Sequence, residues 1–115
     1  MRENKLADLS MLFSVNALEL TNLIEGHYSL KNQFERSATS IGANIRESNY
    51  AQSKADMLSK FEIALKECSE TEGWLQLLFN TNGIDEENYK NYRNLCGRVR
   101  RMLIASCKTL KENSK

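Results

Sequence analysis

Apolar residues return along this chain at steps of three and four. Between residues 5 and 25 they fall at Leu6, Leu9, Phe13, Ala17, Leu20 and Ile24, a spacing that puts them on one face of an α-helix. The pattern resumes over 30–51 at Leu30, Phe34, Ala38, Ile41 and Ile45. Over 54–80 it runs through Leu58, Phe61, Leu65, Cys68, Leu75 and Leu78, and over 86–112 through Tyr89, Tyr92, Cys96, Val99, Leu103 and Leu110. Gly26-His27-Tyr28-Ser29 makes the first break, with Ser29 as candidate N-cap of the second helix. Gln52-Ser53 makes the second, and Ser53-Lys54-Ala55-Asp56 has the form of a capping box with Asp in place of Glu. Asn80-Thr81-Asn82-Gly83 is the strongest stop signal. Asp85 can cap the last helix, whose first turn holds Glu86 and Glu87 where the helix dipole favours acids. No stretch shows a convincing alternation with period two. Four long helices with short connections predict an all-α fold, an antiparallel up-down-up-down four-helix bundle. A single domain is expected over 1–115, with frayed ends at Met1–Asn4 and Asn113–Lys115.

The composition agrees. There is no proline in 115 residues, as expected where almost every position lies inside a helix and proline costs about 3 kcal/mol. Apolar residues at 41% and charged residues at 27% mark a globular chain. Sixteen basic and fifteen acidic residues leave a net charge of +1, which argues against a polyanion binder acting through its whole surface. No apolar run approaches the roughly 18 residues of a membrane span. Met1-Arg2-Glu3-Asn4-Lys5, followed by a pattern interrupted by Asp8 and Ser10, lacks the form of a signal peptide. A cytoplasmic protein with no membrane partner is expected.

Catalytic chemistry has little to work with. The three cysteines, at 68, 96 and 107, are odd in number and lack a Cys-x-x-Cys, which argues against a disulfide framework or a zinc site. Each reads as a small buried hydrophobe. His27, the one histidine, sits in a loop, so no Ser–His or Cys–His pair is available. Glu67-Cys68-Ser69-Glu70 is Glu-x-x-Glu, not the Glu-x-x-His of carboxylate-bridged di-iron bundles. The five glycines are scattered and form no phosphate loop. No catalytic residue, metal or cofactor is expected.

Two polar stripes stand out instead. Ser40, Asn44 and Glu47 are spaced four and three apart on the second helix, with Ser37 one turn earlier. Gly42 lies among them and costs about 1 kcal/mol relative to alanine; close approach of another helix would compensate. On the third helix Glu67, Glu70 and Trp74 share a face, with Lys66 and Thr71 nearby. Two readings fit: solvated faces, or a partly buried network of Ser40, Asn44, Glu47, Glu67 and Glu70 that fixes helix register or a subunit contact.

Charge is also unevenly spread. Residues 1–84 hold 8 basic and 11 acidic side chains, whereas from Arg93 onward there are 7 basic and 1 acidic. Arg93, Arg100, Arg101, Lys108 and Lys111 form a basic strip on the last helix. The strip either contacts a polyanion such as RNA or DNA, or complements the helix dipole and pairs with acidic neighbours. Met11, Leu12, Val15 and Leu18 lie off the main stripe of the first helix, and Trp74, Leu77, Leu78 and Phe79 make the end of the third apolar on more than one face; this surplus favours burial against a second subunit over one broad core face.

Ser40-Ile41-Gly42-Ala43-Asn44-Ile45-Arg46-Glu47 is similar to an S-I-x-x-N-I-x-E motif, and the segment from Phe61 to Leu75 to an F-x-x-A-x-x-x-x-x-E-x-x-x-x-L motif. Together they resemble the four-helix-bundle family related to the 23S ribosomal-RNA intervening-sequence proteins, which includes the accessory variability determinants of diversity-generating retroelements. The resemblance runs from Phe13 to Leu110 and is strongest from Arg36 to Leu78. It implies a bacterial cytosolic protein, an antiparallel bundle and a ring-shaped homopentamer without established enzymatic activity. The retroelement members bind nucleic acid and a reverse transcriptase, which the resemblance offers as candidate partners. Ser40, Asn44, Glu47 and Glu70 match the family's recurrent polar positions and are expected to be structural or interfacial. The chain departs from the family at Arg46-Glu47-Ser48, where many members have Ala-Glu-Gly, and in being nearly neutral where the retroelement members are strongly basic.

Overall fold

The computed structural model describes residues 4–113. They form four α-helices, α1 (Lys5–Leu23), α2 (Tyr28–Ser48), α3 (Lys54–Asn80) and α4 (Glu86–Asn113), with no strand among the described residues. Each helix packs on the next and α1 closes on α4, while the backbones of the diagonal pairs stay apart. Four helices in such a square, joined by short turns, are what an up-down-up-down connection produces. The molecule measures 47 × 26 × 20 Å, its long axis set by α3 and α4 at a rise of about 1.5 Å per residue.

The core follows the three-and-four spacing. Phe13, Ala17 and Leu20 from α1 and Phe34, Ala38, Ile41 and Ile45 from α2 meet Ala64, Cys68, Leu75 and Leu78 from α3 and Cys96, Val99 and Leu103 from α4, all essentially inaccessible. Leu9, Leu30, Leu58, Leu65, Tyr92 and Leu110, predicted for the same faces, are half-buried around this centre. All three cysteines are free and buried. Cys96 donates weakly to the Cys68 carbonyl across the α3–α4 seam at 3.8 Å. The hydrogen bond with Cys68, followed by burial, pushes the Cys96 thiol far up, so it is no thiolate nucleophile. Burial likewise raises Cys107.

The caps explain the helix boundaries. Asn4, placed by the sequence in a frayed end, caps α1 by accepting from the Ala7 amide at 3.0 Å. It also donates to Asn49 at the end of α2. Asn113 is the last helical residue of α4; the rest of both expected frayed ends lies outside the described residues. α1 stops at Leu23, two residues before the expected 25. The expected cap Ser29 lies inside α2, because Gly26 (φ 69°) and His27 (φ 51°) are both left-handed and turn the chain straight into the helix. His27 holds the cap position with no side-chain cap bond.

At α3, Ser53 accepts from the Asp56 amide at 3.0 Å while Asp56 accepts from the Gln52 amide at 3.2 Å. This is a capping box whose return bond falls one residue early. α3 ends in a Schellman motif on left-handed Asn82: the Gly83 amide donates to Leu78 O at 2.7 Å and the Asn82 amide to Phe79 O at 3.1 Å. Asp85 then caps α4 by accepting from the Asn88 amide at 2.7 Å.

Candidate functional site

The polar stripes of α2 and α3 border one seam, but their members separate into four groups. Ser40 donates to Arg36 O at 2.8 Å and the Asn44 amide to Ser40 O at 2.9 Å. Both bonds run back into α2, as short polar side chains in helices often do. Glu47 crosses to α3 and pairs with Lys60 at 3.1 Å. The buried link between the helices is made by Ser37 and Thr71, both fully buried, with their hydroxyl oxygens 2.9 Å apart. Ser37 also reaches Phe34 O at 3.2 Å and Thr71 reaches Glu67 O at 2.7 Å. Two hydroxyl protons thus serve three contacts, so at any moment one of the three is made without a proton.

Beside this link, Glu67 and Glu70 flank Arg36, whose guanidinium lies 3.9 Å from Glu67 Oε2 and 3.6 Å from Glu70 Oε2. These separations are too long for hydrogen bonds. Glu67 Oε2, Glu70 Oε2 and Trp74 Nε1 are buried without a hydrogen-bond partner among the described residues. Burial pushes the Glu67 carboxyl above its ordinary value of 4.5. Glu70 adds to the shift as a like charge and as the acceptor for a protonated Glu67, while Arg36 and Lys66 oppose it.

A carboxyl raised on folding contributes stability that is fully present below its unfolded pKa and is lost as pH rises through the folded one. Glu67→Gln is therefore expected to melt above the wild type at pH 7, with the difference vanishing as pH falls below about 4.5. Thermal melts of both chains across that range check it.

The basic strip of α4 is split by Ile104, which is 49% exposed. On the N-terminal side Arg93 lies over the Tyr89 ring, 5.0 Å from its centroid, and Arg100 Nε donates to Glu72 Oε1 on α3 at 2.9 Å. Arg101 makes no ion pair among the described residues. On the other side Lys108 and Lys111 rim a hollow of about 360 Å³ floored by Leu65, Ile104 and Cys107, and Lys111 pairs with Glu62 at 3.7 Å. Among the described residues no group of three or more His, Cys, Asp or Glu side chains could hold a metal.

Of the surplus apolar residues, Leu78 is in the core and Phe79 stacks on Tyr89 with ring centroids 4.5 Å apart. Trp74 is half-buried against the core. The α1 group stays outside: Met11 is 58% exposed, Leu12 49%, Val15 45% and Leu18 42%. Met11, Val15 and Leu18, four and three apart, line the outer face of α1, with Asp8 and Glu19 exposed on the same helix.

Gly42 meets the expectation of a close helix approach, since a Cβ there would stand 2.9 Å from Ser14 Oγ on α1. The segment holding it, and most of the chain around it, matches a known family model: residues 2–105 fit that of the 23S rRNA-intervening sequence protein. The chain belongs to this family. A solved relative, a protein of unknown function from the S23 ribosomal protein family of Bacteroides thetaiotaomicron VPI-5482, is 40% identical and superposes with a TM-score of 0.85. The match covers 90% of this chain and 98% of that one. No curated protein matches the chain. Among the described residues no helix is long and apolar enough to cross a membrane.

Proposed function

We propose that this 23S rRNA-intervening sequence protein is a non-catalytic, self-associating bundle that serves as a scaffold or accessory factor in a nucleic-acid process in the bacterial cytoplasm. The observation that carries the reading is the outer face of α1. Met11, Leu12, Val15 and Leu18 spend apolar area on solvent although the bundle core is complete without them. Contiguous exposed apolar patches of this kind mark interaction sites.

A second copy of the chain fits the face. Its apolar residues have Asp8 and Glu19 beside them, and the α3–α4 hollow at Leu65, Ile104 and Cys107 is apolar, with Lys108, Lys111 and Glu112 at its rim leaving one net positive charge. Contact between two different faces is heterologous and closes into a ring when the rotation allows, which accords with a homopentamer. The three free, buried cysteines suit a reducing compartment.

The arginines of α4 tie the scaffold to nucleic acid. Anisotropy titrations of a fluorescent RNA and a matching duplex DNA, at low and at physiological salt, test this part. Binding that weakens steeply with salt is expected. No binding at low salt would overturn the nucleic-acid role and leave a purely protein-binding module.

A further inference from the structure

Gly97 sits in the middle of α4, where glycine costs about 1 kcal/mol relative to alanine. Helix packing does not ask for it. At Gly42 an added Cβ would run into a neighbouring helix, but at Gly97 it would meet only Arg101 Nη1 at 3.2 Å and Arg100 Nη2 at 3.6 Å. Gly97 is nevertheless buried, because these guanidinium groups lie over it.

The two arginines, with Arg93, Asn94, Arg98 and Glu72, surround Gly97 in a notch of about 280 Å³. Four guanidinium groups face one carboxylate, which leaves three positive charges in that space. Arg100 takes the carboxylate and is held in place by it. Arg93 is steadied by the Tyr89 ring. Arg98 and Arg101 make no ion pair among the described residues. The volume lies just below the roughly 300–1,000 Å³ of ordinary small-molecule pockets, a size suited to one small anionic group.

The geometry points to the notch over Gly97 as a seat for a phosphate group, either a phosphodiester of a nucleic-acid strand or the phosphoryl group of a small molecule. Guanidinium forks present paired N–H donors that match phosphate oxygens. The missing Cβ lets the anion settle between Arg100 and Arg101. In its phosphodiester form the inference rests on the nucleic-acid reading and narrows it from a strip to one seat.

The test uses the full chain at low salt, with a fluorescent single-stranded RNA and with inorganic pyrophosphate as separate probes. Gly97→Leu fills the notch without changing any charge. Arg98→Ala with Arg101→Ala removes two notch charges, and Lys108→Ala with Lys111→Ala removes two charges beyond Ile104. The notch variants are expected to lose about tenfold or more in affinity for both probes, the size of one charge-assisted contact. The lysine variant should hold pyrophosphate as the wild type does. Should Gly97→Leu fail to fold, Gly97→Ala carries the same test, because it favours the helix while placing a methyl group beside Arg101.

Wild-type binding by Gly97→Leu, with equal losses of RNA affinity in the two double variants, would show a diffuse strip. It would overturn the seat and leave the nucleic-acid reading standing. Equal competition by a polyglutamate peptide would also overturn it. Pyrophosphate binding without RNA binding would support the seat for a small phosphoryl ligand and remove the nucleic-acid reading. Absence of both would remove both.

Discussion

Phe13→Ala is expected to cost about 3–5 kcal/mol, the range for removing a fully buried aromatic ring. Phe13 has no accessible surface and lies among the core residues at the middle of α1. The buried positions one turn to either side of it on that helix, Ser10 and Ala17, are both small, so little beside it can close the gap. A bundle of this size has roughly 5–15 kcal/mol in hand, and the loss lowers Tm by about 10–25 °C. Circular dichroism during heating reads it directly. A Tm within a few degrees of the wild type would mean that α1 is not held by this ring. The same variant should associate poorly, since the outer face of α1 depends on the inner face for its place.

The second large effect concerns that outer face. Val15→Lys together with Leu18→Lys is expected to abolish the proposed self-association while leaving the bundle folded. Both side chains are more than two-fifths exposed within one chain, so the fold does not need them. Full burial of such a side chain is worth about 1.5–3 kcal/mol, and each has a little under half of its surface left to bury. Losing both weakens each contact by about ten- to a hundredfold, before the cost of burying two ammonium groups. The mass in solution should fall to one chain, and the melt should stay cooperative.

The core and the helix count were legible because both depend on periodicity alone. Phe13, Phe34, Ile41, Leu75 and Val99 recur on single helix faces, and burial follows the face. The polar stripe was less legible. Ser37, Ser40 and Asn44 share a face and similar chemistry, yet only Ser37 crosses to α3. A hydroxyl or amide on a helix has its own backbone carbonyls within reach, and spacing cannot show which partner it takes. Thr71 was visible only as a neighbour of the acidic stripe.

The second helix cap was misplaced at Ser29 because residue type favours serine there, whereas two consecutive left-handed residues decided the turn. Gly97 carries a signal in the sequence itself, a glycine followed by Arg98, Arg100 and Arg101 inside a helix. Its meaning appears only when the side chains around it are in place.

The central claim is that the chain associates with itself through α1, and its mass in solution tests that most directly. Sedimentation equilibrium of the wild type and of the Val15→Lys, Leu18→Lys variant at equal micromolar concentration should show two species. The wild type is expected at a multiple of the 13.2 kDa chain, fivefold for a pentameric ring, and the variant at the single-chain mass. A wild type at 13.2 kDa, or a variant that keeps the wild-type mass, would contradict the account.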